Sequence, residues 1–295
     1  MKTLPPSADG SQGLPWSVSG RHLNLAGCPR VMGIVNVTPD SFSDGGRFLE
    51  TERAVAHGLR LLEEGADLLD LGGESTRPGA EPVSAEEECA RVIPVLEGLL
   101  RKRPEALISV DTRKAAVAEA ALTAGARIVN DVSGGRDDPA MLPLVARRGA
   151  GLVMMHMQGT PRTMQDQPQY RDVVAEVGAF FQERLSAACA AGIPESAVVF
   201  DPGIGFGKTL EHNLALMANL PALTRATGRP LLLGVSRKRW IGEVTGRDVG
   251  DRLAGSLGGL AACIQGGAKI LRVHDVMSSC DVVRVLYRII QQQNP

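Results

Sequence analysis

Polar side chains that could bind a small anion lie at the ends of the first and the last of the chain's short apolar runs. Arg272 and His274 are two residues apart, so on an extended strand both point to the same side. Asn36 ends the first run, which becomes the neighbour of the last one if the strands close into a barrel. An arginine fork suits phosphate oxygens, and Mg²⁺ takes one or two protein oxygens and completes its coordination with substrate phosphate and water. The trio predicts a magnesium–diphosphate site with Asn36 as the metal ligand, but a purely structural role, with His274 capping a turn and Arg272 pairing with a carboxylate, fits the same residues.

A second group of polar residues suits a flat, nitrogen-rich ring. Asp111 and Asp201 each follow an apolar run, and Asn130 lies between them in strand order. Two carboxylates and an amide that face one cavity suit a heterocycle with a guanidine-like edge, such as a pterin or a guanine. Lys238 supplies a cation opposite them, and Met155 supplies an apolar wall. Capping of the following helices is the alternative role for each aspartate, but two aspartates together with Asn130 and Lys238 favour binding.

Eight apolar runs must position these side chains, and each run ends in residues that can do chemistry. A stretch long enough for a helix lies between most of them. Eight strand–helix repeats with functional groups at the strand ends predict a (β/α)₈ TIM barrel with its active site at that face. The runs are residues 31–35, 68–71, 107–110, 127–129, 151–155, 197–200, 231–235 and 269–273.

The segments between the runs complete this organisation. Residues 16–25 predict a short hairpin that plugs the bottom of the barrel, and residues 1–13 are predicted to be disordered, ahead of a single barrel domain over 14–295. Loops at 37–48 and 72–82 are long and rich in Gly and Pro, which is typical of binding loops. A capping box that begins at Ser84 predicts the start of the second helix. The other helices are predicted at 51–64, 114–124, 139–148, 170–191, within 210–227, at 239–265 and at 276–291.

Composition excludes several classes of protein. The 295 residues include 32 Lys and Arg against 33 Asp and Glu, so no net basic charge favours nucleic acid or an anionic membrane. The five cysteines form no CxxC pair, which argues against a disulfide framework or a zinc site. The sequence has neither the apolar core of a signal peptide nor an apolar run of about 20 residues that would span a membrane. We therefore expect a cytoplasmic protein.

One segment imitates a phosphate-binding loop. Residues 203–209 read GIGFGKT, but a P-loop requires glycine five residues before its Gly-Lys pair, and Pro202 occupies that position. We therefore reject a nucleotide site here. His156, at the end of the fifth run, is interpreted as structural.

Seven segments together resemble the dihydropteroate synthase family. They span residues 33 to 276, nearly the whole predicted barrel, and the first two are long and specific. The resemblance implies an enzyme of folate synthesis that joins 4-aminobenzoate to 6-hydroxymethyl-7,8-dihydropterin diphosphate and releases diphosphate. The segments are GIVNVTPDSFSDGG (33–46), DLGGESTRPGA (70–80), SVDT (109–112), NDVSGG (130–135), DPGIGFGK (201–208), GVSRK (234–238) and LRVHDV (271–276).

The resemblance also implies roles for individual residues. The catalytic residues would be Asp44, Lys238 and Arg272, and the metal ligand would be Asn36, with Mg²⁺ as the cofactor. The pterin diphosphate would contact Thr76, Asp111, Asn130, Met155, Asp201, Lys238, Arg272 and His274. The aminobenzoate would contact Phe42, Thr76, Arg77, Pro78, Phe206, Ser236 and Arg239.

The chain departs from the family pattern at one position. Several family members have Ser after the Lys of the SRK segment, where it binds the aminobenzoate carboxylate, and this chain has Arg239. Arg239 or the amides at the start of the following helix could replace that serine. Family members are usually homodimers, and small residues at 255–262 would let another helix approach closely, either within the chain or from a second copy.

Two other functions compete with this one. A pterin-binding methyltransferase barrel would share the carboxylates but would not need the segments at 36–46 and 75–79 or the pair of Arg272 and His274. A non-catalytic relative would bind pterin or a partner protein without turnover. An assay of diphosphate release separates the three.

Overall fold

Eight parallel strands form the central sheet, as the apolar runs predict. A computed structural model describes residues 14–38, 46–75, 79–160 and 162–293. In chain order the parallel strands are β3 (Arg30–Asn36), β4 (Leu68–Gly72), β5 (Ile108–Asp111), β6 (Ile128–Asp131), β7 (Gly151–Met155), β8 (Val198–Asp201), β9 (Leu232–Leu233) and β10 (Ile270–Val273). Each pairs with its neighbour in the order β8-β7-β6-β5-β4-β3-β10-β9. A parallel bridge between Phe200 and Leu231 joins the two ends, so the predicted (β/α)₈ barrel is confirmed.

Helices connect the strands and cover the outside of the barrel. They are α1 (Gly46–Glu64), α2 (Ala85–Lys102), α3 (Ala115–Ala124), α4 (Met141–Arg148), α5 (Val173–Ala190), α6 (Leu210–Ala218), α7 (Leu220–Thr227), α8 (Arg239–Thr245), α9 (Leu253–Gln265) and α10 (Val276–Gln293). The predicted cap of α2 is present, because the Ser84 side chain accepts from the Glu87 amide.

Helix boundaries differ from the sequence prediction by three residues or more in three places. Helix α1 begins at Gly46 rather than at 51, since no Pro or Gly follows Gly46 in that turn. Helix α5 begins at Val173 rather than at 170, because the Asp172 carboxylate caps the amides of the first turn. The long predicted helix at 239–265 is broken after Thr245 by Gly246 and a 3₁₀ turn at Val249–Asp251.

The N-terminal hairpin closes the bottom of the barrel, as the sequence predicts. Strands β1 (Pro15–Val18) and β2 (Arg21–Asn24) pair antiparallel. Trp16 is fully buried, and its indole Nε1 donates to the Ala197 carbonyl oxygen, 2.9 Å away, just before β8. The apolar bottom layer consists of Trp16, Val18 and Leu25 from the hairpin segment with Met32, Leu68, Ile128, Val153, Val199, Leu232 and Ile270 from the strands.

Inward and outward side chains alternate along each strand, and this alternation sets the position of the site. Leu68 of β4 and Ile128 of β6 belong to the bottom layer. The residues two positions later, Asp70 and Asn130, therefore face the interior one layer higher. The bottom of the barrel is thus apolar and the mouth is polar. Among the described residues, no helix is both long and apolar enough to cross a membrane.

We expect Trp16→Phe to lower the free energy of unfolding by about 2 kcal/mol, because the buried Ala197 carbonyl loses its donor and the smaller ring leaves a gap. The matched control is Trp240→Phe in α8. The Trp240 Nε1 is buried and has no hydrogen-bond partner within the described ranges, so its removal should cost less than 1 kcal/mol on that account. Urea unfolding of both variants measures the difference, and equal losses of stability would contradict the role given to the Trp16 hydrogen bond.

Candidate active site at the barrel mouth

A buried cluster of carboxylates around one guanidinium occupies the mouth of the barrel. Arg272 of β10 donates from Nε to Asp70 Oδ2 at 2.6 Å and from Nη2 to Asp111 Oδ2 at 2.8 Å. Asn130 donates from Nδ2 to the same Asp70 oxygen at 2.9 Å. Four strands thus contribute to one hydrogen-bonded group.

Burial and charge act against each other in this cluster. Burial raises the pKa of Asp111, and Arg272 opposes that rise. Burial lowers the pKa of Arg272, but Asp70 and Asp111 outweigh burial and leave that pKa raised. Arg272 therefore stays charged, and in this state it pairs with carboxylates, which was the structural alternative for this residue. The Asp70 Oδ1 is buried and has no hydrogen-bond partner in the described part of the chain.

Asp70 is a site residue that the sequence analysis missed. It lies in the middle of an apolar run rather than at its end, and its side chain is fully buried. Leu69 and Leu71, on either side, belong to the outer core between the strands and the helices. Alternation along the strand places Asp70 on the inner face with Asp111. A carboxylate at an inward position was therefore the signal from which the sequence could have predicted Asp70 as a site residue.

Lys238 lies between a carbonyl and an aromatic ring. Its Nζ donates to the Ile204 carbonyl oxygen at 2.5 Å and lies 4.1 Å from the centre of the Phe206 ring. Burial lowers the pKa of Lys238 to about 8, and the charge of Asp201 opposes this shift. The structure thus brings together the predicted pterin residue Lys238 and the predicted aminobenzoate residue Phe206.

Asp201, at the end of β8, caps the turn that follows the strand and also faces the charge of Lys238. Its Oδ1 accepts from the Gly203 amide at 2.7 Å, so it stabilises the turn that follows the strand. Burial raises the pKa of Asp201, and the charge of Lys238 opposes the rise. The side chain is therefore both a cap for the turn and a carboxylate facing the lysine at the mouth.

Ser236 and His274 form a third group at the mouth. The Ser236 hydroxyl oxygen lies 3.1 Å from His274 Nδ1 and accepts from the His274 amide at 3.3 Å. Burial, followed by the charges of Arg272 and Arg237, lowers the pKa of His274 to about 4. The imidazole is therefore neutral at pH 7 and contributes a hydrogen bond rather than a charge.

Two glycines leave space next to the charged groups. A side-chain carbon at Gly234 would lie 3.9 Å from the Arg272 Cβ and 4.0 Å from the Asp201 Oδ2, and one at Gly72 would lie 3.6 Å from the Asp111 Cβ. An apolar group completes the wall, with Val132, Met155, Met157 and Met164 buried together against Phe206. The predicted wall residue Met155 thus lies beside Phe206, at the end of β7.

Of the other predicted site residues, Asn36 and Arg239 are described by the structure, and five lie outside the described ranges. Asn36 ends β3 and pairs with Gly72 of β4, at the rim where the strands end. Arg239 is the first residue of α8, its side chain is 80% exposed, and its Nε lies 2.7 Å from Glu243 Oε1. The predictions for Phe42, Asp44, Thr76, Arg77 and Pro78 fall outside the described residues. No group of three or more His, Cys, Asp or Glu side chains in the described ranges is arranged to hold a metal ion.

A buried lysine behind the mouth was also missed. Lys208 is 3% exposed, and burial lowers its pKa to about 7. It belongs to the segment that imitates a phosphate loop, and its ammonium lies 3.0 Å from His156 Nδ1. Burial, followed by the charge of Lys208, lowers the pKa of His156, so the imidazole is neutral. His156 thus serves as a hydrogen-bond partner within the structure.

Comparison with known proteins adds an independent line of evidence. The family model of the pterin-binding enzymes matches residues 32–274. A dihydropteroate synthase of Neisseria meningitidis is 49% identical over 262 residues, which cover 87% of this chain and 91% of that protein.

Solved structures agree with this match in fold as well as in sequence. Dihydropteroate synthase from Xanthomonas albilineans, solved with 4-aminobenzoic acid, is 51% identical with a TM-score of 0.87, over 95% of this chain and 99% of that one. The same enzyme solved with 7,8-dihydropteroate is aligned at 48% identity and a TM-score of 0.83, over 94% and 98%. The Yersinia pestis enzyme in a sulfonamide complex is 41% identical with a TM-score of 0.87, over 94% and 99%. The chain belongs to the dihydropteroate synthase family of pterin-binding enzymes.

Proposed function

We propose that this chain condenses 4-aminobenzoate with 6-hydroxymethyl-7,8-dihydropterin diphosphate to give 7,8-dihydropteroate and diphosphate. The observation that carries the proposal is the convergence of buried carboxylates and cations at the barrel mouth, on segments that the family model spans. Relatives solved with 4-aminobenzoic acid and with 7,8-dihydropteroate support this choice of substrates.

The carboxylates suit the pterin ring. Asp111 and Asp201 accept hydrogen bonds from a guanidine-like edge, and Asn130 can both donate and accept. Arg272 already satisfies Asp111 at 2.8 Å, so an incoming pterin would replace one charge-assisted hydrogen bond by another. Met155 and the neighbouring methionines provide the apolar surface that a flat ring needs.

The reaction needs stabilisation of separated charge more than a strong base. The bond between the pterin methylene carbon and the diphosphate oxygen breaks, and both electrons leave with the diphosphate. The lone pair of the aniline nitrogen then forms the new carbon–nitrogen bond, and the surplus proton on that nitrogen leaves to water. The carboxylates stabilise the positive methylene group, while Arg272, Lys238 and a neutral His274 stabilise the anion that departs.

Magnesium is proposed as a companion of the diphosphate. The described residues offer no cage of acidic ligands, but Mg²⁺ bound to a substrate phosphate needs only one or two protein oxygens. The Asn36 amide oxygen, at the rim beside Gly72, fits such a role. The metal would neutralise charge on the diphosphate as it leaves.

The aminobenzoate is proposed to bind between Phe206, Ser236 and the start of α8. The predicted loop residues Phe42, Asp44, Thr76, Arg77 and Pro78 would complete this subsite. Arg239 extends into solvent and pairs with Glu243, so reaching the aminobenzoate carboxylate would require it to exchange that partner. The cytoplasmic location of the protein also stays a prediction.

Diphosphate release tests the proposal directly. Purified protein given the pterin diphosphate and 4-aminobenzoate with Mg²⁺ should release diphosphate only when both substrates are present, and a sulfonamide should compete with 4-aminobenzoate. A methyltransferase barrel or a non-catalytic pterin binder would release none, and non-competitive inhibition would contradict the proposed aminobenzoate subsite.

Lys238 gives a pH-dependent prediction. Its ammonium is the active form, so kcat/KM should fall as the pH rises through about 8, where the amine loses its proton. Lys238→Met should lower kcat/KM by about 100-fold, because it leaves buried partners unpaired. Lys238→Arg should keep a low activity without the alkaline limb, since arginine stays charged. If kcat/KM of the wild type does not change up to pH 10, the charged form of Lys238 is not required for turnover.

We also propose a homodimer through the outer faces of α9 and α10, which pack against each other. Gly255 and Gly259 of α9 are internal, since added carbons there would meet Ile241 and Trp240 of α8. Large apolar side chains are exposed on these two helices beside the charged Asp281 and Arg284. They are Leu253, Met277, Val285 and Ile289, which are 42%, 59%, 59% and 50% exposed. Exposed apolar side chains rimmed by charged ones are typical of a protein interface.

A charge at Gly258 tests the dimer. A Cβ added there meets no atom within 4 Å, so Gly258→Glu should fold normally and yet behave as a monomer in light scattering at micromolar concentration. Gly250→Glu is the control, because a Cβ at Gly250 is equally unobstructed but Gly250 lies in the 3₁₀ turn before α9. A wild-type monomer, or a dimer that survives Gly258→Glu, would refute the proposed interface.

A further inference from the structure

All three N–H donors of the buried Lys208 ammonium have partners within the protein. Its Nζ lies 3.0 Å from His156 Nδ1, and it donates to the His156 carbonyl oxygen at 3.3 Å and to the Phe206 carbonyl oxygen at 2.9 Å. An ammonium has three N–H donors and no acceptor, so these three partners satisfy it. An amine held by two carbonyls and a neutral imidazole, with no carboxylate among the described residues in hydrogen-bond contact, implies a specific reason for its burial.

The partners of Lys208 join the end of β7 to the loop after β8. The backbone of this loop, residues 203–207, lies very close to the backbone of the residues that follow β7. Gly203 and Gly207 have φ of +67° and +59°, and a Cβ on them would lie 2.0 Å from the His156 carbonyl oxygen and 2.6 Å from the Gln158 carbonyl oxygen. Only glycine permits that approach.

Side chains hold the 203–207 loop at nearly every peptide group. The Gly203 amide donates to Asp201 at 2.7 Å and the Gly205 amide to Asn213 at 2.7 Å, while the Gly205 carbonyl accepts from Gln165 at 3.0 Å. The Gly207 carbonyl accepts from the Tyr170 hydroxyl at 2.8 Å. Lys208 secures the Phe206 carbonyl, the peptide group next to the aromatic ring.

The 203–207 loop provides the carbonyl and the aromatic ring that contact the Lys238 ammonium. The Ile204 carbonyl oxygen accepts from Lys238 Nζ at 2.5 Å, and the Phe206 ring lies 4.1 Å from the same ammonium. We propose that Lys208 is a positioning residue that acts through the 203–207 loop to fix Lys238 against the Ile204 carbonyl and the Phe206 ring. It contacts neither substrate, and its effect on turnover passes through the loop.

The inference deepens the proposed function, since it assigns a role in the reaction to a residue behind the site. The charged groups that act on Lys238 are Asp201 of β8, Asp111 of β5, Arg272 of β10 and Lys208 itself. Because burial lowers the pKa of Lys208 to about 7, Lys208 is largely neutral at the pH of the alkaline limb. Removal of its charge alone would therefore move the limb of Lys238 only slightly, to higher pH. Loss of the Ile204 carbonyl and the Phe206 ring would move that limb to lower pH, because both favour the charged form.

The experiment compares two charge-removing variants with one neutral variant. Lys208→Met removes both charge and donors, Lys208→Gln removes the charge but keeps a donor for the Phe206 carbonyl, and Tyr170→Phe loosens the loop with no change of charge. Lys269→Met is the control, because Lys269 is a partly buried lysine at the opposite end of β10. Diphosphate release is measured against pH for each variant, with KM for both substrates and a thermal melt.

We expect Lys208→Met to lower kcat by about 10-fold to 100-fold, as misplacement of a catalytic group does, to raise KM for aminobenzoate, and to move the alkaline limb to lower pH. Lys208→Gln should retain more activity than Lys208→Met, and Tyr170→Phe should move the limb in the same direction by less. Lys269→Met should match the wild type in all three respects.

An alkaline limb that is unchanged or moves to higher pH in Lys208→Met would overturn the inference, as would equal activity of the Met and Gln variants. If Lys208→Met fails to fold, the sign of the shift in Tyr170→Phe decides. Wild-type protein that releases diphosphate supports the proposed function whatever these variants do, so the two proposals fail separately.

Discussion

The ion pairs of Arg272 with Asp70 and Asp111 are the constraint on which the rest of the barrel mouth depends. Three side chains, one each from β10, β4 and β5, meet there at 2.6 and 2.8 Å, out of reach of most solvent. Removal of one partner from such a buried pair typically costs about 3–5 kcal/mol, because the remaining charge is left uncompensated. The cluster therefore fixes the relative position of the strands and also keeps the mouth polar. The proposed pterin, with its guanidine-like edge, would replace Arg272 at Asp111 without leaving that carboxylate unpaired.

The bottom of the barrel is built for stability, and the mouth carries the charged groups. At the bottom, Trp16 and the hairpin close an apolar layer that contains no ionisable group. At the mouth, Asp201 and Asp111 face Lys238. All three groups are buried, and burial raises the pKa of each carboxyl group and lowers the pKa of the ammonium. Charges held in this way are already oriented before substrate arrives, which lets them stabilise developing charge without reorganisation.

The loop after β8 links the two proposed subsites. Phe206 packs against the methionine wall on one side and contacts the Lys238 ammonium on the other. The proposed pterin and aminobenzoate subsites therefore share Phe206, whose backbone carbonyl accepts from Lys208.

The sequence by itself determined the barrel, its bottom plug and most of the strand-end residues, because the apolar runs and their polar ends are local patterns. It placed Asp111, Asn130, Asp201 and Lys238 at the mouth without reference to contacts. Only the tertiary structure decided that Asp70 joins them, since an inward position in the middle of a run is defined by the neighbouring strands. The partners of Arg272 and Lys208 also depended on the closed barrel, because they come from residues 202 and 52 positions away in the chain. Local patterns carry no information about such pairs.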